Sequence, residues 1–332
     1  MKAVAHTTKD ISSLVDIELP APTPGPRDLL VKVEAVSVNP VDTKRRADAA
    51  KTDKAPRVLG WDAAGTVAAV GAQVTLFKPG DAVFYAGDVT RAGSNSELHL
   101  VDERIVGRKP ESLDFAQAAA IPLTAITAWE AYFDRMKIKR ASGASLLVIN
   151  GAGGVGSIGI QIAKVSGLKV IATASRPETI AWAKELGADH IVDHRKPLRP
   201  QLEALGMKQV DYIANFSGEL DAHWPAMADL VAPQGAVLAI VANRDPLPMD
   251  LVRSKSAAVC WELMFTRPRF QTPDMIEQHK LLNQVSEWLD ARKLRGTLRE
   301  KLSPINAANV RKAHEKLESG KTIGKLVLQG WA

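Results

Sequence analysis

The chain has 332 residues, of which 46% are hydrophobic and 24% charged, a balance that fits a folded globular protein of about two domains. Its formal net charge is +6, from 43 Lys and Arg against 37 Asp and Glu, but the basic residues are scattered and runs such as Lys44-Arg45-Arg46 are short, so no nucleic-acid motif emerges. A single cysteine excludes an intrachain disulfide framework and a cysteine-rich zinc site, and no apolar run reaches the ~18–20 residues of a membrane-spanning helix.

The amino terminus, Met1-Lys2-Ala3-Val4-Ala5-His6, lacks the apolar core of a signal peptide and reads as a first strand, which points to the cytoplasm. Short β-type runs follow at 29–38, 65–70, 82–85 and 98–101, separated by clusters such as Pro20-Ala21-Pro22-Thr23-Pro24-Gly25-Pro26 and Lys78-Pro79-Gly80-Asp81. This texture predicts a small, partly closed β structure over the first 120 or so residues.

From about 121 to 266 the pattern alternates strand and helix. Strands are expected at 146–150, 170–174, 190–193, 210–215, 236–241 and 257–263, with a helix over 178–186 closing at Gly187. Repeated βα alternation predicts a parallel sheet covered by helices on both faces. The apolar run Leu146-Leu147-Val148-Ile149 leads straight into Asn150-Gly151-Ala152-Gly153-Gly154-Val155-Gly156 and then an apolar helical pattern. That is the G-x-G-x-x-G dinucleotide fingerprint in its required strand–turn–helix context. Gly151 is expected to permit the tight turn, Gly153 the approach of backbone to pyrophosphate, and Gly156 the packing of helix on sheet; Gly154 and Val155 open the helix whose free N–H groups face the phosphate. Cys260 lies in apolar sequence and reads as a buried structural thiol. Residues 273–292 and 307–318 read as amphipathic helices, and the chain closes on a strand at 324–329.

Val38-Asn39-Pro40-Val41-Asp42, Leu59-Gly60-Trp61-Asp62-Ala63-Ala64-Gly65, Phe77-Lys78-Pro79-Gly80-Asp81-Ala82-Val83, residues 118–128, the Gly151–Gly156 loop and the tail Gly320-Lys321-Thr322-Ile323-Gly324-Lys325 follow one another along the chain. Taken together, these stretches resemble the medium-chain dehydrogenase/reductase superfamily. The resemblance is strongest to the quinone-oxidoreductase branch and its zinc-alcohol-dehydrogenase-like relatives. It implies an α/β chain with a GroES-like, partly open β-barrel domain and a Rossmann, doubly wound parallel-sheet domain. The implied layout is 1–121 for the amino-terminal part of the catalytic domain, 122–266 for the nucleotide domain, and 267–332 for the return to the catalytic domain. It also implies an active site in the cleft, pocket loops at 47–58 and 265–274, and homodimers or homotetramers paired through the edge strand at 257–263.

The departures from the family pattern bear on the chemistry. Zinc alcohol dehydrogenases place a cysteine ligand in the segment matching 38–42, where this chain has Asn39, and a histidine in the Gly-His-Glu segment, where it has Trp61. No cysteine stands near 120–123 or within 86–100, so neither a catalytic nor a structural zinc set is expected. Asp62, Glu97, His99 and Asp102 match no zinc spacing.

At the end of the second nucleotide-domain strand stand Ser175 and Arg176, neutral and cationic where an NAD-preferring site carries an acid, so NADPH is expected. The resemblance places His194 near the adenosine phosphate, Thr127 near the nicotinamide, and Ser217 and Val241 near its ribose. Asn39 and Tyr85 are the candidate donors to a developing oxyanion; Asp42 reads as a structural acceptor and Trp61 as an apolar wall. Where quinone oxidoreductases of the Escherichia coli type carry an aromatic residue two positions after the Asp of this segment, this chain has Lys44. The resulting expectation is a zinc-independent, NADPH-dependent oxidoreductase that passes hydride to a quinone or α,β-unsaturated carbonyl compound. The alternatives are a zinc-dependent alcohol dehydrogenase, or an NADPH-binding protein with a sensor or RNA-associated role and little catalysis.

Overall fold

A computed structural model describes residues 1–48 and 56–331; most of the expected pocket loop at 47–58 lies outside them. The chain forms two compact units, Met1–Ile126 with Phe265–Ala332, and Thr127–Met264.

The first unit opens with β1 (Lys2–His6), β2 (Val15–Glu18), β3 (Asp28–Ser37), α1 (Pro40–Ala47) and β4 (Arg57–Val58). It continues through β5 (Ala63–Val70), β6 (Ala82–Tyr85), β7 (Leu98–Asp102), β8 (Val106–Arg108), α2 (Phe115–Ala119) and the first residues of α3 (Pro122–Trp129), whose last three, from Thr127, belong to the second unit. The second unit then alternates β9 (Ser145–Ile149), α4 (Gly154–Val165), β10 (Lys169–Thr173), α5 (Pro177–Glu185), β11 (His190–Val192) and α6 (Leu198–Ala204). It ends with β12 (Val210–Asn215), α7 (Leu220–Leu230), β13 (Val231–Ala239), α8 (Asp250–Arg253) and β14 (Ala258–Trp261). The return segment holds α9 (Thr266–Phe270), α10 (Glu277–Asp290), β15 (Leu298–Leu302), α11 (Ala307–Glu318) and β16 (Lys325–Gln329).

In the first unit, β3 is the organising strand. Leu29, Val31 and Val33 are buried while the exposed Lys32 lies between them, the period-2 pattern of a half-buried strand. One edge of β3 pairs along its length with β5; the other pairs with β7 over Asp28–Lys32 and with β16 over Ala35–Ser37. The resulting seven-stranded sheet is antiparallel except for the β15–β16 pair. A three-stranded sheet β2-β1-β4 completes the β structure.

The second unit is a six-stranded sheet of order β11-β10-β9-β12-β13-β14, parallel throughout. Leu146, Leu147, Val148 and Ile149 of β9 are all buried, because helices cover both faces and no solvent face demands alternation. Ile149, Ile171, Ile213 and Val237 pack with Trp224 of α7 into one core. The order reverses direction between β9 and β12, so the carboxyl ends of these strands form the switch point at which such sheets bind ligands.

The largest departures from the expected boundaries are at β13, which starts at Val231 and stops at Ala239, and at α10, which starts at Glu277; β14 also stops early, at Trp261. Cys260 is half-buried and not fully enclosed, because β14 is an edge strand; its thiol contacts the Arg135 carbonyl at 3.6 Å. No helix among the described residues is long and apolar enough to cross a membrane.

Candidate active site

The glycine loop joins β9 to α4, with Gly153 at the N-cap. The left-handed turn residue is Asn150, φ 66°, and not Gly151. Asparagine adopts this conformation more readily than most residues, and here two bonds to neighbouring strand ends hold it: Nδ2 donates to the Phe216 carbonyl at 3.1 Å, and the backbone N–H donates to Thr173 Oγ1 at 2.9 Å. Gly151 answers to space: a Cβ there would stand 2.7 Å from that of Ala172 on β10. At Gly156 a Cβ would lie 2.2 Å from the Asn150 carbonyl oxygen, so only glycine lets α4 press onto the end of β9. A Cβ at Gly153 would meet the Asn150 side chain. Gly154 and Val155 are half-buried in the first turn of α4, where N–H groups lack intrahelical acceptors and the helix dipole is positive. This cradle fits a dinucleotide pyrophosphate.

Arg176 is the N-cap of α5, and its Nε lies 3.1 Å from Glu178 Oε1. Arg195 donates from Nη2 to the Ser175 carbonyl and pairs with Asp193 at 2.9 Å. Arg195 thus reaches Ser175, the chain neighbour of Arg176, and His194, next to Arg195 in sequence, is exposed. At the switch point Asn215 is fully buried, and its Oδ1 accepts from Ser217 N at 2.9 Å and Ser217 Oγ at 2.7 Å. The Nδ2 of Asn215 is buried with no acceptor, an orphan donor that a ligand oxygen would satisfy. Val241 lies two residues past β13, half-buried against the core, and Thr127 is buried within α3.

In the first unit a buried charged cluster gathers around Asn39. Its Nδ2 donates to Asp62 Oδ2 at 3.1 Å and to the Ser37 carbonyl at 3.3 Å, and its Oδ1 accepts from Lys325 Nζ. Lys325 Nζ also donates to the Val38 carbonyl at 3.0 Å and lies 3.2 Å from Asp62 Oδ2. Asp62 Oδ1 accepts from Leu123 N at 3.2 Å. Asp42 caps α1 by accepting from Asn39 N at 2.6 Å. All four side chains are buried. Burial pushes the Asp62 carboxyl up and the Lys325 ammonium down, against the attraction between them, and burial holds the Asp42 carboxyl up at about 7.

Tyr85 ends β6 at 0% exposure, its ring stacked on His99 with centroids 5.5 Å apart. His99 Nε2 meets the Ala92 carbonyl at 3.0 Å, which can only accept; the proton is therefore on Nε2, and Tyr85 donates its hydroxyl to Nδ1 at 3.0 Å. Burial lowers His99 to about 4 and raises Tyr85, so both are neutral near pH 7. Trp61 donates Nε1 to the Asp88 carbonyl at 3.0 Å and meets Phe265 edge-on.

Two family signatures match: an alcohol dehydrogenase GroES-like domain over 25–111, and a zinc-binding dehydrogenase over 186–328. A zinc-type alcohol dehydrogenase-like protein of Staphylococcus aureus is 44% identical over 92% of each chain. The chain is a medium-chain dehydrogenase/reductase. A Rhizobium etli crystal structure, provisionally named a zinc-dependent alcohol dehydrogenase, is 52% identical with a TM-score of 0.95, covering 100% of this chain and 98% of that one. A quinone oxidoreductase of Pseudomonas aeruginosa is 30% identical over 92% of each chain. The first unit is accordingly the GroES-like domain and the second the Rossmann domain.

The residues at the positions implied for zinc ligands do not fit that metal, despite those names. The indole of Trp61 is a donor only, and the Asn39 oxygen already faces an ammonium. Among the described residues no group of three or more His, Cys, Asp or Glu is placed to hold a metal. The sequence reading missed Lys325 and Asn150. Lys325 opens the otherwise apolar Leu326-Val327-Leu328 and is itself buried, and a lysine at the head of such a strand is the signal that could have found it.

Proposed function

We propose that the protein is a zinc-independent, NADPH-dependent reductase of quinones or α,β-unsaturated carbonyl compounds, working as a cytoplasmic homodimer. The observation that carries this reading is the replacement of metal ligands by Asn39 and Trp61, with the Lys325 ammonium closing on the Asn39 oxygen. When bound, the nicotinamide supplies the hydride. The protein supplies binding, orientation and oxyanion stabilisation without a Lewis acid.

In this reading Gly151, Gly153, Gly154, Val155 and Gly156 hold the pyrophosphate. Arg176, Ser175 and Arg195 face the 2′-phosphate, as planar guanidiniums suit that group. His194 lies along the adenosine side, and Thr127, Ser217 and Val241 border the nicotinamide end. Asn39 and Tyr85 are the donors proposed for the acceptor's carbonyl oxygen. Each must exchange a present partner for it: Asn39 its 3.3 Å bond to Ser37, Tyr85 its bond to His99. Quinones and enones share the required feature, a carbonyl conjugated to an electrophilic carbon.

The test is oxidation of NADPH followed at 340 nm with metal-analysed protein, a quinone and a simple enone in parallel, and NADH as control. Turnover by a zinc-free sample, faster with NADPH, is expected. Turnover only in samples holding about one zinc per chain would overturn zinc independence, and NADPH binding without turnover on either acceptor would overturn the reductase reading. Tyr85→Phe is expected to slow enone turnover; an unchanged rate would remove Tyr85 from the reaction.

A further inference from the structure

We propose that Lys325 and Asp62 are positioning residues which clamp the Asn39 amide in a single orientation, holding its N–H group ready for the acceptor's oxygen. The second half of this statement rests on Asn39 serving as a donor in the reductase reading; the clamp itself does not. An asparagine amide can usually flip, since its two ends differ little in shape. Here the ends meet opposite charges. An ammonium can only donate and a carboxylate can only accept. The oxygen of Asn39 faces Lys325 Nζ, and its nitrogen faces Asp62 Oδ2 at 3.1 Å. A flipped amide would turn N–H against ammonium and oxygen against carboxylate, losing both bonds at once.

Lys325 and Asp62 are otherwise occupied, which confines their action to Asn39. Lys325 spends its three hydrogens on the Val38 carbonyl, Asn39 Oδ1 and Asp62 Oδ2, so it has no donor left for a substrate. Asp62 takes Asn39 Nδ2, Lys325 Nζ and Leu123 N. The longest bond of the set is Asn39 Nδ2 to the Ser37 carbonyl, 3.3 Å, and its hydrogen is the one a substrate oxygen can claim at least cost. Charge on the far end of the amide polarises that N–H and strengthens it as a donor. Stability alone is a poor reason to bury such a pair, since well-packed apolar residues commonly serve as well. Fixing one amide in one orientation is a task apolar residues cannot perform.

The test compares wild type, Asn39→Ala, the charge-free pair Lys325→Met with Asp62→Asn, and the triple variant. The paired replacement avoids leaving one buried charge alone, which is what threatens folding in either single variant. Thermal melts establish the folded fraction of each. Two readouts follow. In protein labelled with 15N-asparagine, side-chain hydrogens of Asn39 should exchange with solvent at least ~10-fold faster in the Lys325→Met, Asp62→Asn protein than in wild type. In turnover, the same pair should lower kcat about 10- to 100-fold with the KM for NADPH unchanged, and should add nothing once Asn39 is alanine.

Unchanged exchange overturns the clamp whether or not the protein turns over. An equal loss of kcat with Asn39 present and absent also overturns it, because the charges would then act by another route. Faster exchange, with Asn39→Ala turning over normally, upholds the clamp and overturns only the part given to Asn39 in the reaction.

Discussion

Arg176 and Arg195 set the residue-scale case for NADPH. Arg195 reaches the Ser175 carbonyl and pairs with Asp193 at 2.9 Å, and Arg176, next to Ser175 in the chain, pairs with Glu178 at 3.1 Å. That pair is partly exposed and contributes little to stability, about 0–1 kcal/mol, so Arg176 can trade it for a phosphate. A charge-assisted hydrogen bond is worth about 1.5–3 kcal/mol, or roughly 10- to 100-fold. Arg176→Gln is therefore expected to raise the KM for NADPH by that factor, with the KM for NADH moving less than about threefold. Steady-state kinetics with both cofactors checks it; equal shifts would place Arg176 away from the 2′-phosphate.

The same scale shows what single residues disclose from sequence. Asn39 and Trp61 were legible because they replace residues of a different chemical type. The division of labour in the loop was not: a glycine and an asparagine both tolerate positive φ, and only the backbone shows that Asn150 takes it while Gly151 gives way to Ala172. Lys325 carries a local signal, a lysine at the head of an apolar strand, but its partners, Asn39 and Asp62, are remote in sequence and only the fold brings the three together.

Among the elements, the segment Glu130–Arg135 and strand β14 carry the least expected chemistry. Glu130–Arg135 forms a π-helical turn, a form often found at functional sites. Its Arg135 Nε donates to Glu262 Oε2 at 2.8 Å, and Arg135 Nη2 lies 3.6 Å from Glu130 Oε2. One guanidinium thus serves two buried carboxylates, and burial together with the neighbouring Glu130 disfavours ionisation of Glu262. Burial, then the neighbouring Glu130, pushes Glu262 up to about 9 from an ordinary 4.5. Between those values the folded chain binds more proton at this site than the unfolded chain. Stability from this site is therefore greatest in acid and falls as pH rises through that window, by at most about 1.4 kcal/mol per pH unit. Glu262→Gln keeps a donor toward Glu130 and removes the titration. Urea unfolding at pH 6 and pH 8.5 should show a smaller loss in the variant than in wild type. Equal losses would mean that Glu262 is not the group whose titration sets this pH dependence.

Element type was legible in this unit wherever an apolar run met a turn signal, as at β9 and β10. The π turn was not, since its Glu-Ala-Tyr-Phe-Asp-Arg sequence differs in no local way from an α-helix end. The early start of β13 was hidden by Pro233 and Gly235, residues that normally interrupt a strand.

At the scale of the whole molecule, local pattern cannot reveal that Phe265–Ala332 belongs with the amino-terminal unit. That assignment comes from pairing across nearly the full chain, Val327 against Ser37 and Gln329 against Ala35. A second molecular property follows from the end of the parallel sheet. β14 pairs with β13 on one side and is the last strand on the other. Its Trp261 is 46% exposed and the nearby Leu263 48%, an apolar edge of the kind that proteins usually cover or charge. A second copy applied to the same edge would be self-complementary, as an isologous dimer requires. Light scattering coupled to gel filtration should therefore give a mass of two chains. Trp261→Glu combined with Leu263→Lys should return the mass to one chain at micromolar concentration, since charges at the centre of a small interface cost desolvation without a partner. A wild-type mass of one chain, or a variant that still carries two, would show that this edge is not the dimer contact.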